Sequence, residues 1–542
     1  MTAPASPSGG HNPAAGTGAF GTAAADARPG PLKRLFHRLD DAVNPIVVKE
    51  LRQAMHGRFV PIVFLLFLAL ALVTFIFAVI DADLGHPGAG FNAAVSLRVV
   101  LDIICLLALP LFIGMRLALE RSDANTDLLF ATTIPARRVI GGKVLAGLIL
   151  VALTYAACAP LILLTYLIGG VDMPSLLVSL ALGLVTAGCA IMLMIFLASL
   201  TVNRIARVVL AIAAFIILLT LLHHSTGIFH AFEAGFNYLL LRRGLIAAFA
   251  DSETVITATL ALTYSLGIAV LMFLMAAAMI KPQSSNRALP VRIGITAFWI
   301  VQMLVAIILL WEVVEPMDAI DVGAVNAAGI LSFILYFNIL LLALAQWWAI
   351  CERDEPGRRT GQTIPRNIPM RIAAFILYAG AAGGLVWTWL MIGLTFGGIW
   401  LIATQVAPAN TWDGIVEERT VTAAAALAIL LYAYAITALA LHRGLLPKAL
   451  RYEHTWGIAL TLLALLCALP PVLATIIDPD QLRHAVEPPA WAAINPFVLP
   501  HESETFINRA IVINAVWAGA VTLIMLPWFY YRLRAFKPEQ RG

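Results

Sequence analysis

The chain has 542 residues, of which 61% are hydrophobic and 12% charged, with a mean hydropathy of +0.90 and a net charge of +4. Soluble domains are about 45–50% apolar and about 25% charged, so no water-soluble core could bury this excess. The composition excludes a soluble globular protein and predicts an all-α, polytopic helical membrane protein.

The first 59 residues precede any long apolar run. Residues 1–30 are rich in Ala, Gly, Pro and Ser, and they lack the basic start and apolar core of a signal peptide. We expect a disordered cytoplasmic tail there. Residues 31–59 interleave basic and apolar side chains, a pattern typical of an amphipathic helix that lies in the membrane interface.

Apolar runs then dominate the chain, and a spanning helix needs about 20 such residues. We count twelve candidates, which places the chain at about twelve transmembrane helices. They cover 60–80, 97–118, 144–168, 176–200, 207–223, 254–280, 293–311, 328–350, 372–405, 421–441, 456–477 and 507–530. The ninth is too long for one simple span and contains six glycines, so we expect it to be broken or partly re-entrant.

Basic residues are distributed unevenly between the connecting segments. With the N-terminus in the cytoplasm, 29 of the 35 Lys and Arg lie in segments on the cytoplasmic side and 6 elsewhere. This bias predicts that both termini are cytoplasmic. The twelve spans divide into two six-span halves, 60–280 and 281–542. A degenerate internal repeat is one interpretation, since basic segment 351–371 follows the eighth span much as 120–143 follows the second.

Two pairs of opposite charge occur at helical spacing in the second span. Arg98 and Asp102 are four residues apart near its outer end, and Arg116 and Glu120 repeat that spacing at its inner end. Pairing lowers the cost of charge near lipid, so we expect two structural ion pairs. A role in a substrate or proton path is the alternative.

Other polar side chains lie singly within or beside apolar runs, and hydrogen bonds between helices are their expected use. These are Gln302, Asn338, Gln346 and Gln405. The five cysteines include no CxxC pair, so we expect small buried side chains rather than disulfides or a zinc site.

The segment 120–143 is the most informative stretch. It is polar and basic, lies between two long apolar runs, and carries the apolar knob Leu128-Leu129-Phe130 near its centre. Exposed apolar residues on a cytoplasmic segment predict a surface that docks a soluble partner. An ordinary amphipathic loop resting on lipid headgroups is the alternative.

Two motifs resemble the membrane permeases of type-2 ABC transporters over roughly residues 44–280. The first matches their cytoplasmic segment at Glu120, Arg121, Asp127, Leu128, Leu129, Thr132, Gly142 and Lys143. The second matches the stretch before the first span in a subgroup of that family, at Asn44, Pro45, Lys49, Glu50, Leu51, Arg52 and Gln53.

The resemblance implies that segment 120–143 is a coupling segment seated in a separate ABC ATPase subunit. Its expected docking residues are Glu120, Arg121, Asp127, Leu128, Leu129, Phe130, Thr132, Arg137, Arg138 and Lys143. The expected interfacial helix carries Asn44, Pro45, Lys49, Glu50 and Arg52. The resemblance further implies a bacterial cytoplasmic membrane protein that contacts membrane lipids, exports or extracts a substrate, and forms its pathway alone, as a homodimer or with a second permease.

The chain carries no nucleotide-binding motif of its own. Gly141, Gly142 and Lys143 are followed by Val144, and the first glycine of a phosphate-binding loop is missing. ATP and Mg²⁺ are therefore expected in the partner chain. We find no convincing catalytic or metal-binding constellation, and membrane topology explains the basic loops without nucleic acid.

Two other functions stay open from the sequence. One is an intramembrane enzyme that modifies lipids or glycans on the outer face, near His223, Glu233 or Glu502. The other is a membrane scaffold that docks a cytoplasmic partner without transport.

Overall fold

The computed structural model describes residues 45–81, 89–120, 135–168, 173–200, 252–282, 284–314, 320–406, 418–446, 452–477, 490–498 and 503–538, with positions 212, 215 and 216. Fifteen α-helices lie in this part of the chain. They are α1 (Pro45–His56), α2 (Phe59–Asp81), α3 (Ala89–Asp102), α4 (Leu109–Glu120), α5 (Ala136–Ile168), α6 (Met173–Leu200), α7 (Ser252–Ile280), α8 (Ala288–Val314), α9 (Ile320–Ala349), α10 (Arg358–Gly361), α11 (Ile368–Leu377), α12 (Ala381–Val406), α13 (Glu418–Gly444), α14 (Thr455–Ile477) and α15 (Glu504–Ala535). A π-helical turn, Ile103–Ala108, joins α3 to α4, and two 3₁₀ turns cover Tyr452–His454 and Ala490–Ile494.

Ten helices in the described residues are long and apolar enough to cross a membrane. They confirm an all-helical, multi-pass membrane architecture, with α3, the π-helical turn and α4 forming one continuous span, Ala93–Glu120. The predicted span 456–477 corresponds to α14, whose apolar stretch Thr455–Pro470 is shorter than these ten. The predicted span 207–223, apart from three single positions, and the predicted tail 1–30 lie outside the described residues.

The helices before residue 281 pack around one hydrophobic core. Its fully buried side chains come from α2 to α7 and include Phe67, Leu101, Ile140, Ile191 and Ile195.

The interfacial helix predicted over 31–59 is helical at Pro45–His56, and the part before residue 45 lies outside the described residues. Gly57 separates α1 from α2, and Phe59 at the start of α2 stacks on Phe112 of α4, with ring centroids 5.0 Å apart.

Helix α7 belongs to two cores. Near its end, Ala276 packs in the first core, whereas Tyr264 lies in a second core formed with α8, α9, α12 and α13. The Tyr264 hydroxyl donates to Gln302 Oε1 at 2.9 Å, and Asn338 Nδ2 donates to the same oxygen at 2.9 Å. These bonds confirm the predicted interhelical role of Gln302 and Asn338, and they join α7, α8 and α9 within the apolar region.

Gln346 was expected to hydrogen-bond a neighbouring helix, but its carboxamide is buried and has no hydrogen-bond partner among the residues that the structure describes. The side chain of Gln405 lies outside the described residues. The five cysteines are free thiols. Cys105 and Cys158 are buried as expected, whereas Cys189, Cys351 and Cys467 are only partly buried.

The ninth predicted span is broken, as its glycine content indicated. The chain leaves α11 at Leu377 and begins α12 at Ala381. Helix ends leave backbone groups without intrahelical partners, and these are costly to bury in an apolar region. Arg292 of α8 supplies the missing donors through Nη1, to the carbonyl oxygens of Ile376 at 2.7 Å and Tyr378 at 2.6 Å.

Glu352 completes this junction from the other side. Its Oε2 accepts the Gly380 N–H at 2.6 Å and Arg292 Nη2 at 2.6 Å. Burial raises the pKa of the Glu352 carboxyl, while Arg292 and the Gly380 N–H act against that rise. Gly384 gives the guanidinium room, because a Cβ there would lie 2.6 Å from Arg292 Nη2. The break is therefore held by one buried ion pair.

Candidate functional site

Lys143, in the second turn of α5, forms the centre of a buried ionic cluster. Its Nζ lies 2.5 Å from Glu50 Oε1 of α1 and 2.6 Å from Glu120 Oε2 at the end of α4. Lys143 is 5% exposed at its side chain and Glu50 is 9% exposed, whereas Glu120 is 36% exposed. We call the group formed by Glu50, Arg116, Glu120 and Lys143 the Lys143 clamp.

Arg116 is the fourth charge of the clamp. Its Nη2 lies 3.4 Å from Glu50 Oε2, Nη1 donates to the Glu50 carbonyl oxygen at 3.4 Å, and Nη2 also donates to Gln53. The predicted pair between Arg116 and Glu120 is therefore wrong, although the two residues have helical spacing. Each residue pairs with another helix instead: Arg116 with Glu50 of α1, and Glu120 with Lys143 of α5.

The clamp is electrically balanced, since two acids face two bases. Isolated charge near the apolar region is expensive, and pairing with hydrogen bonds makes it tolerable. Glu50 enters the clamp because it shares a face of α1 with Val47 and Ala54, three residues before and four after it, and all three are buried. That spacing could have identified Glu50 in the sequence as an inward-facing acid rather than a headgroup contact.

Other residues that the sequence predicted for docking or for the interfacial helix lie outside the clamp. Lys49 and Arg52 of α1 are exposed, and so are Arg137 and Arg138 in the first turn of α5. Arg137 approaches Lys281, where burial first and this neighbouring charge second lower the pKa of the lysine. Lys143 was expected on the docking surface, but it is enclosed in the clamp, so its side chain holds helices together.

The centre of the predicted docking segment lies outside the described residues. This applies to Arg121, Asp127, Leu128, Leu129, Phe130 and Thr132, and also to Asn44 of the predicted interfacial helix. The clamp nevertheless frames that segment, because Glu120 is the last residue of α4 and Lys143 lies seven residues after α5 begins at Ala136. The helices on both sides of the segment and α1 therefore share one ionic cluster.

A second predicted pair is confirmed at the opposite end of the same span. Arg98 Nε lies 3.0 Å from Asp102 Oδ1 and 3.1 Å from Oδ2, and Arg98 Nη1 donates to the Ser179 carbonyl oxygen of α6 at 2.8 Å. The π-helical turn Ile103–Ala108 follows directly. This pair joins α3 to α6 and is a structural contact of the kind expected.

A second ionic cluster follows α9, in the basic segment 351–371. Asp354 accepts Arg443 from the end of α13, and its Oδ2 also lies 3.2 Å from Arg532 Nη2 near the end of α15. Arg443 stacks over Trp528, with 4.5 Å from the guanidinium carbon to the ring centroid. No local sequence pattern predicts these contacts, because their partners are about 90 to 180 residues apart.

No metal centre is found in the part of the chain that the structure describes. Among those residues, no group of three or more His, Cys, Asp or Glu side chains is placed to hold a metal ion. His223, Glu233 and Glu502, the candidates for an outer enzymatic site, lie outside the described residues.

Comparison with known families, curated proteins and solved structures finds no match for this chain.

Proposed function

We propose that this chain is the membrane permease subunit of a type-2 ABC transporter in the bacterial cytoplasmic membrane. It would work with a separate ATPase subunit, which binds ATP and Mg²⁺, to export or extract a substrate. The observation that carries this proposal is the Lys143 clamp, in which helices on both sides of segment 121–134 share buried charges with α1.

The clamp supports a mechanical role for that segment. A partner that displaces residues 121–134 pulls on the end of α4 and on the start of α5. Lys143 links both to α1, through contacts of 2.6 Å to Glu120 and 2.5 Å to Glu50. Removing one partner of a buried ion pair typically costs about 3–5 kcal/mol, so these helix ends resist separation. Movement of the segment would therefore reach three helices together.

The contacts between helix ends support the topology that we propose, with twelve spans and both termini in the cytoplasm. Helix ends that are expected on the cytoplasmic side form ion pairs with one another. Arg292 pairs with Glu352, and Asp354 pairs with Arg443 and Arg532. Alternating spans bring such ends to one side. The excess of Lys and Arg in these segments favours the cytoplasm as that side.

The test substitutes aspartate for Leu128 or Leu129 in the full-length chain. The chain is co-expressed with the ATPase that co-purifies with it, and ATP turnover of the complex is compared with that of the ATPase alone. We expect each variant to lose the change in ATP turnover that the permease causes, because a charge replaces an apolar contact. The thermal stability of the permease should be unchanged.

Leu445→Asp is the matched control, since Leu445 is an exposed apolar residue just after α13, outside the proposed docking segment. It should leave ATP turnover of the complex unchanged. Full coupling in the Leu128 and Leu129 variants would show that the segment does not dock the ATPase.

A further inference from the structure

A cavity of about 340 Å³ lies away from the Lys143 clamp. Its walls come from the segment around α10, from the break that precedes α12, and from the end of α15. Small-ligand pockets typically measure about 300–1,000 Å³, so the cavity can hold a compact ligand or headgroup. Neither the clamp nor the proposed ATPase contact uses it.

The charged side chains of this cavity leave positive charge unbalanced. The acid Asp354 is engaged by Arg443 and Arg532. Arg358 and Lys537 line the cavity and are exposed, and neither forms an ion pair with any residue that the structure describes. Glu355 also lines the cavity, is 86% exposed and lies 3.7 Å from Arg532 Nη1. The two acids of the wall therefore face three lining cations together with Arg443, and positive charge is in excess.

Hydrogen-bond donors in the wall also lack acceptors. Arg532 Nε is buried and has no hydrogen-bond partner among the described residues, although Nη2 lies 3.2 Å from Asp354 and Nη1 3.7 Å from Glu355. The buried Asp354 Oδ1 is an acceptor that likewise has no partner among them. The wall includes Ala381, Ala382 and Gly383, whose N–H groups precede the first helical bond, from Gly384 N to the Gly380 oxygen. Buried donors without acceptors are unfavourable, and these four donors outnumber the one acceptor without a partner, Asp354 Oδ1. The cavity therefore favours an occupant that mainly accepts hydrogen bonds.

The surroundings of the cavity match the level of lipid headgroups. Tyr531 lines the cavity, and its neighbours Tyr530 and Leu533 on α15 are exposed large side chains. Met370 of α11, the helix that carries the wall residue Phe375, is also exposed. Tyrosines concentrate where a membrane meets water, which places the opening beside the headgroups.

We infer that this cavity binds a phosphate-bearing anion, and that its occupant is the headgroup of an anionic phospholipid. Basic pockets between spanning helices on the cytoplasmic side bind such headgroups. Arg358 and Lys537 contact the phosphate, and the apolar side chains beside the opening accommodate the start of the acyl chains. The inference does not depend on the ATPase partner.

The test measures lipid retention by the full-length, detergent-purified chain in native mass spectrometry. The probes are phosphatidylglycerol and phosphatidylcholine of the same chain length. The wild type should retain phosphatidylglycerol preferentially. The double variant Arg358→Gln/Lys537→Gln should bind it roughly tenfold or more weakly, because each cation near an anionic headgroup contributes about a factor of five.

Two further variants make the result specific. Arg359→Gln/Arg366→Gln removes the same charge from exposed positions of the same segment that do not line the cavity, and it should retain the lipid. Arg358→Lys/Lys537→Arg keeps both charges and should also retain it. Equal losses in the two glutamine variants would mean diffuse surface attraction and would overturn the inference.

Inorganic phosphate distinguishes the source of the anion. If phosphate alone raises the melting temperature of the wild type but not of Arg358→Gln/Lys537→Gln, and phosphatidylglycerol is not retained, the lipid assignment is wrong and the occupant is a soluble anion. Preferential lipid retention that requires Arg358 and Lys537 supports the assignment as stated.

Discussion

Lys143 and Glu120 lie 23 residues apart in the chain, and their charged groups are 2.6 Å apart between α5 and α4. The same ammonium group bonds Glu50 of α1 at 2.5 Å. One cation therefore joins three helices around a segment whose sequence predicts a partner contact. Substitutions in this cluster therefore test both the stability of the fold and the proposed transmission of movement from the docking segment to the helices.

The first prediction concerns Lys143→Met, which keeps most of the side-chain volume and removes its charge. Two carboxylates, Glu50 and Glu120, then lose their shared cation. Breaking a buried pair in this way costs about 3–5 kcal/mol, so we expect a clearly lower melting temperature for the detergent-purified full-length chain.

Its control is Lys143→Arg, which keeps the charge and should retain most of the stability. Adding Glu120→Gln to Lys143→Met should recover part of the loss, because Glu120 has then lost its cation whereas Glu50 still faces Arg116. A melting temperature for Lys143→Met equal to that of the wild type would mean that the clamp does not stabilise the fold.

The second prediction compares two polar positions of α1. Glu50→Gln removes the charge between Lys143 and Arg116, and it should destabilise the chain by about 1–3 kcal/mol through unsatisfied buried partners. If the clamp transmits movement, the permease carrying Glu50→Gln should also alter ATP turnover of the complex less than the wild type does.

Arg52→Gln is the matched control, because Arg52 is exposed on the other face of the same helix. Surface substitutions of this kind usually change stability by less than about 0.5 kcal/mol. Equal effects of Glu50→Gln and Arg52→Gln on stability and turnover would argue that α1 contributes only overall charge.

The sequence was most informative where the relevant contacts are local. Apolar runs of spanning length predicted the membrane helices, and the spacing of Arg98 and Asp102 predicted their ion pair. The same spacing failed for Arg116 and Glu120. Helical periodicity cannot reveal competing charges that are distant in sequence and close in space, as Glu50 and Lys143 are.

The broken ninth span shows the same limit to what a local sequence pattern can predict. Its length and glycine content predicted an interruption without locating it. The position is set by Arg292 and Glu352, which satisfy the backbone groups between α11 and α12 from two other parts of the chain. Those bonds depend on the packing of α8 against the break, which no local pattern describes.

The third prediction tests the packing at this break. A Cβ at position 383 would overlap the carbonyl oxygen of Phe375, a backbone atom that cannot rotate away. Gly383→Ala should therefore destabilise the chain by about 1–3 kcal/mol, as overpacking in a core does. The thermal unfolding midpoint of the purified chain measures the effect.

Gly393→Ala in the same helix is its control, because no atom of the described residues that could obstruct a Cβ lies within 4 Å of it. Alanine favours a helix over glycine by roughly 0.5–1 kcal/mol, so this variant should be neutral or slightly stabilised. A Gly383→Ala variant as stable as Gly393→Ala would show that the junction relaxes freely.

The fourth prediction contrasts two buried glutamines that are each 1% exposed. Gln302 accepts hydrogen bonds from Tyr264 and Asn338, whereas neither carboxamide atom of Gln346 has a hydrogen-bond partner in the described part of the chain. Replacing Gln302 by Leu leaves two buried donors short of an acceptor, so the variant should be less stable by about 1–3 kcal/mol.

Gln346→Leu should behave differently, because it removes an unsatisfied polar group of similar size from an apolar region. Exchanging such a group for an apolar one is near neutral or stabilising. Tyr264→Phe in the Gln302→Leu background should then cost less than in the wild type, since its hydroxyl has already lost the acceptor. Comparable losses for the two leucine variants would show that Gln346 is also engaged, through bound water or an alternative packing of α9.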